Sequence, residues 1–248
     1  MRKLVRQMHI SYYRDKVDSY PDIKCGIWNS QHGDKKFVYI NSGSRRAETR
    51  RADSPKGKEL LRIKTECDEC KRILFKLESE WINKYGEPCE TIRINHYDNT
   101  HNRRLFDSLI CGRNPYNKDY KLSYKDIMFN SNLELQFAKL MDDYGILYKY
   151  EPEITVFDGR NRYPDFVIYL PWLDLIILVE IYGLSEKTNY IATVRDRSYD
   201  YMMTGWEPGR SMLSLYHYDK EYILPEMIME EIETVAVRNC LLRQQKAA

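Results

Sequence analysis

Two acidic residues stand within apolar segments of the second half of the chain. Asp165 directly precedes one such segment, and Glu180 interrupts the next. Withdrawing a carboxylate from water is costly unless the group is paired or binds a metal ion. Carboxylate oxygens suit Mg²⁺, which proteins often hold through one or two acids together with substrate phosphates. Either acid alone is better explained by an ion pair with Arg160 or Arg162, but the two together predict a site for Mg²⁺ or Mn²⁺.

Three predicted strands would position these acids. They cover residues 154–157, 164–169 and 175–181, with turns near Gly159 and Pro171 between them. The third strand is almost wholly apolar, as expected for a strand covered on both faces. Asp165 and Glu180 are therefore expected on adjacent strands of one sheet.

Helical patterns flank these strands. Apolar residues recur at helical spacing between Ser131 and Gly145, and a second helix is predicted from about Thr188 to Met203. A strand at residues 211–216 follows, and Pro225 begins a last helix. The resulting order is helix, three strands, helix, strand, helix.

Pro164-Asp165, a strand, and then Glu180-x-Tyr182 resemble the motif of the PD-(D/E)xK nuclease superfamily. The ending Glu180-Ile-Tyr-Gly183 is most similar to the branch that includes very-short-patch repair endonucleases and phage homing enzymes. The resemblance runs from about Ser131 to the end of the sequence. It implies an α/β (α+β) fold, with a restriction-endonuclease-like three-layer α/β/α core and a mixed sheet over residues 126–248.

The activity that this resemblance implies is metal-dependent hydrolysis of DNA phosphodiester bonds, of homing or repair type. It also implies a site in which Asp165, Glu180 and the main-chain carbonyl of Ile181 hold Mg²⁺ or Mn²⁺, and in which Glu134 completes the metal site from the preceding helix. Ser131 and Glu134 have the spacing of a capping box as well, so a purely structural role for Glu134 stays open.

One position departs from the superfamily pattern. A lysine normally follows the motif glutamate by two residues, but Tyr182 stands there, and a phenol carries no charge at neutral pH. Either the site is inactive and the fold serves to bind nucleic acid or a protein, or the cation has moved. Lys187, in the connecting loop, is one candidate for a displaced cation.

Arg197 is the other candidate. Branches of the superfamily carry the displaced lysine within a Tyr-x6-Lys-x3-Tyr pattern, and Tyr190, Arg197 and Tyr201 match its spacing with arginine for lysine. Steps of seven and four residues place all three on one helix face. Arg197 or Lys187 would stabilise the transition state electrostatically, but arginine cannot act as a general base. The alternative for Arg197 is a surface ion pair with Asp196 or Asp200.

Charge is unevenly distributed along the 248 residues. Residues 1–130 carry 27 Lys and Arg against 18 Asp and Glu, whereas the remainder carries 12 against 19. This asymmetry predicts a basic, smaller α+β domain over residues 1–125 that grips a polyanion, joined to the metal-binding domain, unless the asymmetry arose by chance.

The most basic stretch follows a predicted strand at residues 37–40. Residues 41–58 are rich in turn formers and are predicted to form a loop or linker. Its basic side chains are candidate phosphate contacts, or else merely solvated: Arg45, Arg46, Arg50, Arg51, Lys56 and Lys58.

Cys67 and Cys70 lie between a predicted strand at residues 60–65 and a predicted helix at residues 73–85. This arrangement begins many zinc knuckles. The available partners within residues 60–114 are Cys89, His96, His101 and Cys111, none of them spaced as a clean second pair. Structural Zn²⁺ is therefore left open beside two reduced cysteines at a helix start. A strand is also predicted at residues 91–96, whereas residues 98–125 are assigned no element.

The remaining features bear on location and partners. No signal peptide or membrane-spanning run is visible, and six scattered cysteines do not indicate a disulfide framework. We therefore expect an intracellular protein in a reducing compartment without a membrane partner. The expected partners are double-stranded DNA and a second copy of the chain in a homodimer.

Overall fold

The computed structural model describes residues 1–28, 35–42, 45–115, 122–183, 188–217, 222 and 224–247. It is 48% helix and 24% strand and contains a mixed sheet, so the predicted mixed α/β class is confirmed.

The helices and strands are as follows. The helices are α1 (Arg2–Ser19), α2 (Pro55–Tyr85), α3 (His101–Ser108), α4 (Asn132–Asp143), α5 (Thr188–Met203) and α6 (Pro225–Ala247). The strands are β1 (Asp22–Trp28), β2 (Lys35–Ser42), β3 (Arg45–Arg51), β4 (Leu122–Tyr124), β5 (Ile127–Phe129), β6 (Leu147–Tyr150), β7 (Ile154–Thr155), β8 (Asn161–Arg162), β9 (Phe166–Leu170), β10 (Leu175–Gly183) and β11 (Met212–His217).

The chain forms two compact units. The small unit is His9–Arg93, and the large unit combines Met1–Met8 with Ile94–Ala248. This division differs from the predicted one, because the boundary expected after residue 125 lies inside the large unit.

The small unit consists of an antiparallel sheet, ordered β1-β2-β3, with α2 against one face. Because side chains alternate along a strand, Ile23 and Val38 both point to that face, where they pack with Leu60 of α2. The prediction of a loop over residues 41–58 is therefore wrong for most of that stretch. Strand β3 occupies its middle, and α2 begins at Pro55, where the Ser54 hydroxyl accepts a hydrogen bond from Gly57 N–H at 3.1 Å.

Helix α2 also corrects the predicted strand at residues 60–65, which is helical throughout. Leu60, Cys67, Leu77 and Trp81 recur at helical spacing and are all buried. This stripe continues through the cysteines without a turn residue, so one helix replaces the predicted strand and the shorter predicted helix. The strand predicted at residues 91–96 is likewise wrong, since that segment has no regular structure.

The large unit contains a mixed sheet ordered β11-β10-β9-β6. Strand β10 is parallel to β11 and antiparallel to β9, and β9 is antiparallel to β6. The strands predicted at residues 164–169, 175–181 and 211–216 are confirmed as β9, β10 and β11. The strand predicted at residues 154–157 shrinks to β7, which pairs with β8 in a separate hairpin, and β6 takes the place beside β9.

Both faces of the central strands are buried, as their apolar sequences predict. On one face, Tyr169 of β9 and Leu178 of β10 pack with Phe106 of α3 and Tyr201 of α5. On the other face, Phe166 packs against Phe137 of α4, with ring centroids 4.7 Å apart. The helices predicted near α4, α5 and α6 are confirmed and cover this sheet.

Candidate active site

Asp165 lies immediately before β9, where the ladder with β10 ends. Phe166 pairs with Val179, and β10 continues for four further residues without a β9 partner. Ile181 N–H, which would otherwise lack an acceptor on this side, donates a hydrogen bond to Asp165 Oδ2 at 2.6 Å. The N–H and C=O groups of one strand residue point to the same side, so the Ile181 carbonyl is also directed toward this edge.

Glu180 is fully buried, and both carboxylate oxygens have partners. Tyr201 Oη donates a hydrogen bond to Oε1 at 2.8 Å, and Arg197 Nη1 lies 3.4 Å from Oε2. Alternation along the paired strands places Asp165 and Glu180 on the sheet face that α5 covers. The structure thus brings Asp165, Glu180 and Arg197 together.

The arginines proposed as alternative partners of these acids bind elsewhere. Arg162 donates a hydrogen bond from Nε to Asp200 Oδ2 at 2.7 Å, and Arg160 contacts both Asp200 and Asp158. The interpretation that Arg160 or Arg162 pairs with Asp165 or Glu180 is therefore wrong.

The surface interpretation of Arg197 is also wrong in its stated partners, because its ion pair is with Glu180. Of the other residues in the displaced-cation pattern, Tyr201 contacts Glu180, while the Tyr190 side chain lies outside the described part of the structure. Lys187 falls on residues 184–187, which the structure does not describe.

Tyr182 lies on the same strand face as Glu180 and is buried. Burial raises the pKa of its phenol, and the nearby Glu180 carboxylate raises it further, whereas the Ser198 side chain acts in the opposite direction. The phenol is therefore neutral at physiological pH and does not supply the charge of the lysine that it replaces.

Glu134 takes part in the start of α4, although its side chain accepts from the amide of Asn130 rather than from that of Ser131, which the capping box predicts. The Ser131 hydroxyl accepts a hydrogen bond from Glu134 N–H at 3.2 Å, and Glu134 Oε2 accepts one from Asn130 N–H at 3.1 Å. Tyr150 Oη donates a further hydrogen bond to Oε2 at 2.6 Å. The same residue also lines the cavity beside Asp165, and the charge of its carboxylate raises the pKa of Asp165.

A polar cavity of about 210 Å³ opens at this point of the large unit. The charged residues that line it are Glu134, Glu151, Asp165, Arg162 and Arg197. Its size and polar lining suit a phosphate group with water or a small cation.

The electrostatics of this cavity disfavour two ionised carboxylates. Burial raises the pKa of Asp165 well above its ordinary value, and the charges of Glu180 and Glu134 raise it further. Burial also raises the pKa of Glu180, although Arg197 and the Tyr201 hydroxyl oppose that shift. Both shifts therefore have the sign that burial produces, and Arg197 offsets them only in part.

Acidic side chains outnumber basic ones around the cavity. Glu134, Glu151 and Asp165 line it and Glu180 lies behind Arg197, while the charge of Arg162 is matched by Asp200. Within the described ranges, however, no three His, Cys, Asp or Glu side chains are arranged as a ready-made metal cage. The carboxylates that line the cavity belong to Glu134, Glu151 and Asp165, and carboxylate oxygens are the donors that hard cations prefer.

Glu151 is a residue of the site that the sequence analysis did not identify. Glu151 is buried, has a positive φ of 44°, and accepts hydrogen bonds from the side-chain amides of Asn114 and Asn130. A non-glycine residue with positive φ is uncommon and frequent at functional sites. Because φ cannot be read from residue type, no sequence signal marked Glu151, whereas the spacing of Tyr201 from Arg197 did place it on the correct helix face.

The six candidate phosphate contacts between residues 45 and 58 do not all lie on one side of the sheet of the small unit. Arg50 and Lys56 form ion pairs with Glu48, at 3.0 and 2.8 Å, on the α2 side. Arg46 lies over the ring of Tyr39 on the opposite face. Of the other three candidates, Arg51 forms an ion pair with Asp53 and Lys58 is exposed. The side chain of Arg45 is not among the described ones.

The cysteines proposed for zinc do not form a knuckle in the described structure. Cys67 and Cys70 are buried inside α2, Cys89 is buried in the small unit, and Cys111 is exposed in the large unit. The local geometry expected of a knuckle, with the first pair between a strand and a helix, is wrong for this reason. Burial raises the pKa of the Cys70 thiol, which favours its protonated form.

Comparison of the chain with protein-family models, with curated proteins and with solved structures finds no match. None of the helices in the described ranges has an apolar stretch long enough to cross a membrane.

Proposed function

We propose that the chain is a metal-dependent DNA endonuclease whose active site is the cavity around Asp165. One observation carries this proposal: Asp165 and Glu180 share a sheet face, and a guanidinium from the following helix lies 3.4 Å from Glu180. Two carboxylates and one cation, in the order found in the PD-(D/E)xK superfamily, support phosphodiester hydrolysis. A restriction-endonuclease-like core for the large unit is part of the proposal.

Asp165, Glu180 and the Ile181 carbonyl would hold Mg²⁺ or Mn²⁺, with Glu134 as a further donor. Such an ion lowers the pKa of a bound water and neutralises charge on a phosphate. The chain itself contributes orientation: Ile181 N–H fixes one oxygen of Asp165, and Tyr201 fixes one oxygen of Glu180.

Arg197 supplies the positive charge that Tyr182 does not. Its side chain is 40% exposed, so the guanidinium contacts Glu180 and still faces the cavity. Charge that develops on the phosphate oxygens is stabilised by such a preorganised donor. Because arginine does not deprotonate, Arg197 orients and neutralises but transfers no proton.

The DNA would be held in part by the small unit, whose exposed basic residues supply phosphate contacts. Double-stranded DNA is the proposed substrate, and a homodimer is the proposed assembly for cutting both strands. A homing or repair role is the biological function to which the resemblance points.

A plasmid assay tests this function. Purified protein should nick or linearise supercoiled DNA with Mg²⁺ or Mn²⁺ and should lose activity in EDTA. Asp165→Ala and Glu180→Ala should each abolish cleavage while the protein remains folded by circular dichroism. Wild-type activity in either variant would show that the active site has been misplaced.

The second candidate function is a catalytically silent module that binds nucleic acid or a protein. Both oxygens of Glu180 already have protein partners, and Tyr182 stands where lysine is expected, which favours this candidate. It predicts DNA binding without cleavage under every divalent cation. Isothermal titration with Mn²⁺ separates the two candidates, because a silent module has no need to bind the ion.

A further inference from the structure

The sheet of the small unit has one face covered by α2 and a second face that is not. Ile23 and Val38 point toward α2, so alternation directs Lys24 and Tyr39 to the opposite side. Register adds Thr49, which pairs with Tyr39, and Arg46, which pairs with Asn41. We call Lys24, Tyr39, Arg46, Thr49 and Arg51 the open face.

An aromatic ring lies at the centre of the open face. Tyr39 is on the middle strand, and a Cβ added to Gly26 of the neighbouring strand would lie 3.4 Å from Tyr39 Cε1. The ring thus leans across β1, over a residue that has no side chain to push it upright. The guanidinium of Arg46, on the neighbouring strand β3, lies 4.3 Å from the ring centroid.

Positive charge surrounds this ring. Lys24, Arg46 and Arg51 are exposed, and Thr49 adds an exposed hydroxyl. The acids nearby are Asp22, which pairs with Lys24, and Asp53, which pairs with Arg51. Arg46 is held by the ring rather than by a carboxylate in the described structure, so its charge is available to an anion.

We propose that the open face binds single-stranded nucleic acid, with an unpaired base stacked on Tyr39 and Arg46. Bases stack on aromatic rings and on guanidinium planes, and flanking cations follow the phosphates. A duplex hides the faces of its bases and presents phosphates and base edges, so it would leave the ring unused. This function goes beyond the proposed cleavage and does not depend on it.

Fluorescence anisotropy of the full chain in EDTA tests the proposal, because binding is then read without cleavage. The probes are labelled oligo(dT) and oligo(U) of about 12 nucleotides, within the site size of common single-strand binders, and a duplex of equal length. Both single strands should bind, and the duplex, which is also the proposed substrate of cleavage, reports binding that does not use the ring. The two single-stranded probes show whether a DNA or an RNA strand is preferred.

Substitutions on the neighbouring strands β2 and β3 distinguish a loss of base stacking from a loss of folding. Tyr39→Ala should weaken single-strand binding about 5- to 100-fold, and Tyr39→Phe should stay close to wild type. Arg46→Ala, which removes an exposed side chain, should lower the slope of log K against log salt by about 0.7. Arg50→Ala is the matched control, since Arg50 lies on β3 but faces α2 and pairs with Glu48.

Three outcomes would overturn the proposal. Tyr39→Ala could weaken duplex binding as much as single-strand binding, Arg50→Ala could weaken binding as much as Arg46→Ala, or poly-glutamate could displace the oligonucleotide at equal charge. The last result would indicate an acidic protein partner for this face. All three measurements read binding in EDTA, so they test the open face even if the protein does not cleave plasmid DNA.

Discussion

At the scale of single residues, the site depends on how one arginine compensates several carboxylates. Glu180 is buried and Arg197 is its ion-pair partner, while Tyr201 holds the second oxygen. Sequence spacing located Arg197 on the correct helix face, because steps of four and seven residues are nearly whole turns. The partner of Arg197 could not be inferred, since Asp196 and Asp200 are closer in sequence than Glu180.

Substitution of Arg197 tests its part in catalysis. Arg197→Ala should lower the cleavage rate by about 10²–10³ because transition-state charge loses a preorganised donor. Arg197→Lys should recover a good part of the loss, since charge is kept although the planar fork is not. Rates are measured on plasmid at saturating Mg²⁺, with DNA affinity measured separately.

Arg195→Ala is the control for that experiment, because Arg195 lies on the same helix, is 81% exposed and contacts only Asp196 among the described contacts. It should change the cleavage rate little. Equal losses in the two variants would show that α5 contributes general charge rather than a specific group.

The pKa shift of Asp165 predicts how stability depends on pH. Its folded-state pKa is raised, so between the ordinary and the raised value the folded protein binds more protons than the unfolded chain. Stability is then greatest at low pH within this interval and is lost as pH rises. Asp165→Asn keeps an acceptor for Ile181 N–H and removes the charge, so at neutral pH without metal it should unfold at a higher temperature than wild type.

Thermal unfolding in EDTA between about pH 5 and pH 8 measures this effect, with about 2–4 °C expected for each kcal/mol in a domain of this size. The difference between variant and wild type should narrow toward acid pH. Mn²⁺ should stabilise the wild type and leave Asp165→Asn unchanged. A variant that is less stable at every pH would show that the ionised carboxylate is adequately compensated.

At the scale of elements, the site depends on a hairpin that is tied to a helix. Strand β8 carries Arg162, and Asp200 of α5 accepts hydrogen bonds from Arg162 and Arg160. The sequence predicted a turn near Gly159 and a helix across Asp200, but not their contact. Strand β6 was also missed, since it comprises four residues with exposed and buried positions that do not alternate cleanly.

Asp200→Asn should therefore destabilise the large unit. It leaves two guanidiniums without their shared carboxylate, and Asp200 is buried whereas Arg160 is exposed, so a cost of about 2–4 kcal/mol lies between the buried and surface limits. Urea unfolding measures this loss of unfolding free energy, with the same dependence on urea concentration assumed for the variant and the wild type.

Glu207→Gln serves as the comparison, because Glu207 forms an exposed ion pair with Arg210. Its cost should be under about 1 kcal/mol. Equal costs for the two substitutions would mean that the hairpin and helix are held by other contacts.

At the scale of the whole molecule, local patterns predicted the order of elements in the large unit but not the division of the chain. The small unit was misjudged because turn formers such as Ser54 and Pro55 serve there as helix cap and first helical residue. Similarly, Cys67 and Cys70 suggested ligands, whereas they continue an apolar stripe. Residue type alone does not distinguish a buried thiol from a metal ligand.

Thiol labelling distinguishes these two interpretations across the chain. Cys25 and Cys111 are exposed and should react first with a maleimide, whereas Cys67, Cys70 and Cys89 are buried and should react only after unfolding. Mass spectrometry of the labelled peptides measures the order. Protection of Cys67 and Cys70 that is lost on adding a chelator, without unfolding, would restore the zinc hypothesis.

The hydrogen bond from Ile181 N–H to Asp165 links a main-chain amide to the charge of a side chain. Such an amide exchanges its hydrogen for deuterium only when the bond opens, so its exchange rate measures how firmly the carboxylate is held. Protonation of Asp165, or its recruitment by a cation, weakens the acceptor and accelerates exchange. Occupancy of the cavity can therefore be followed at one backbone position, without substrate, dye or turnover.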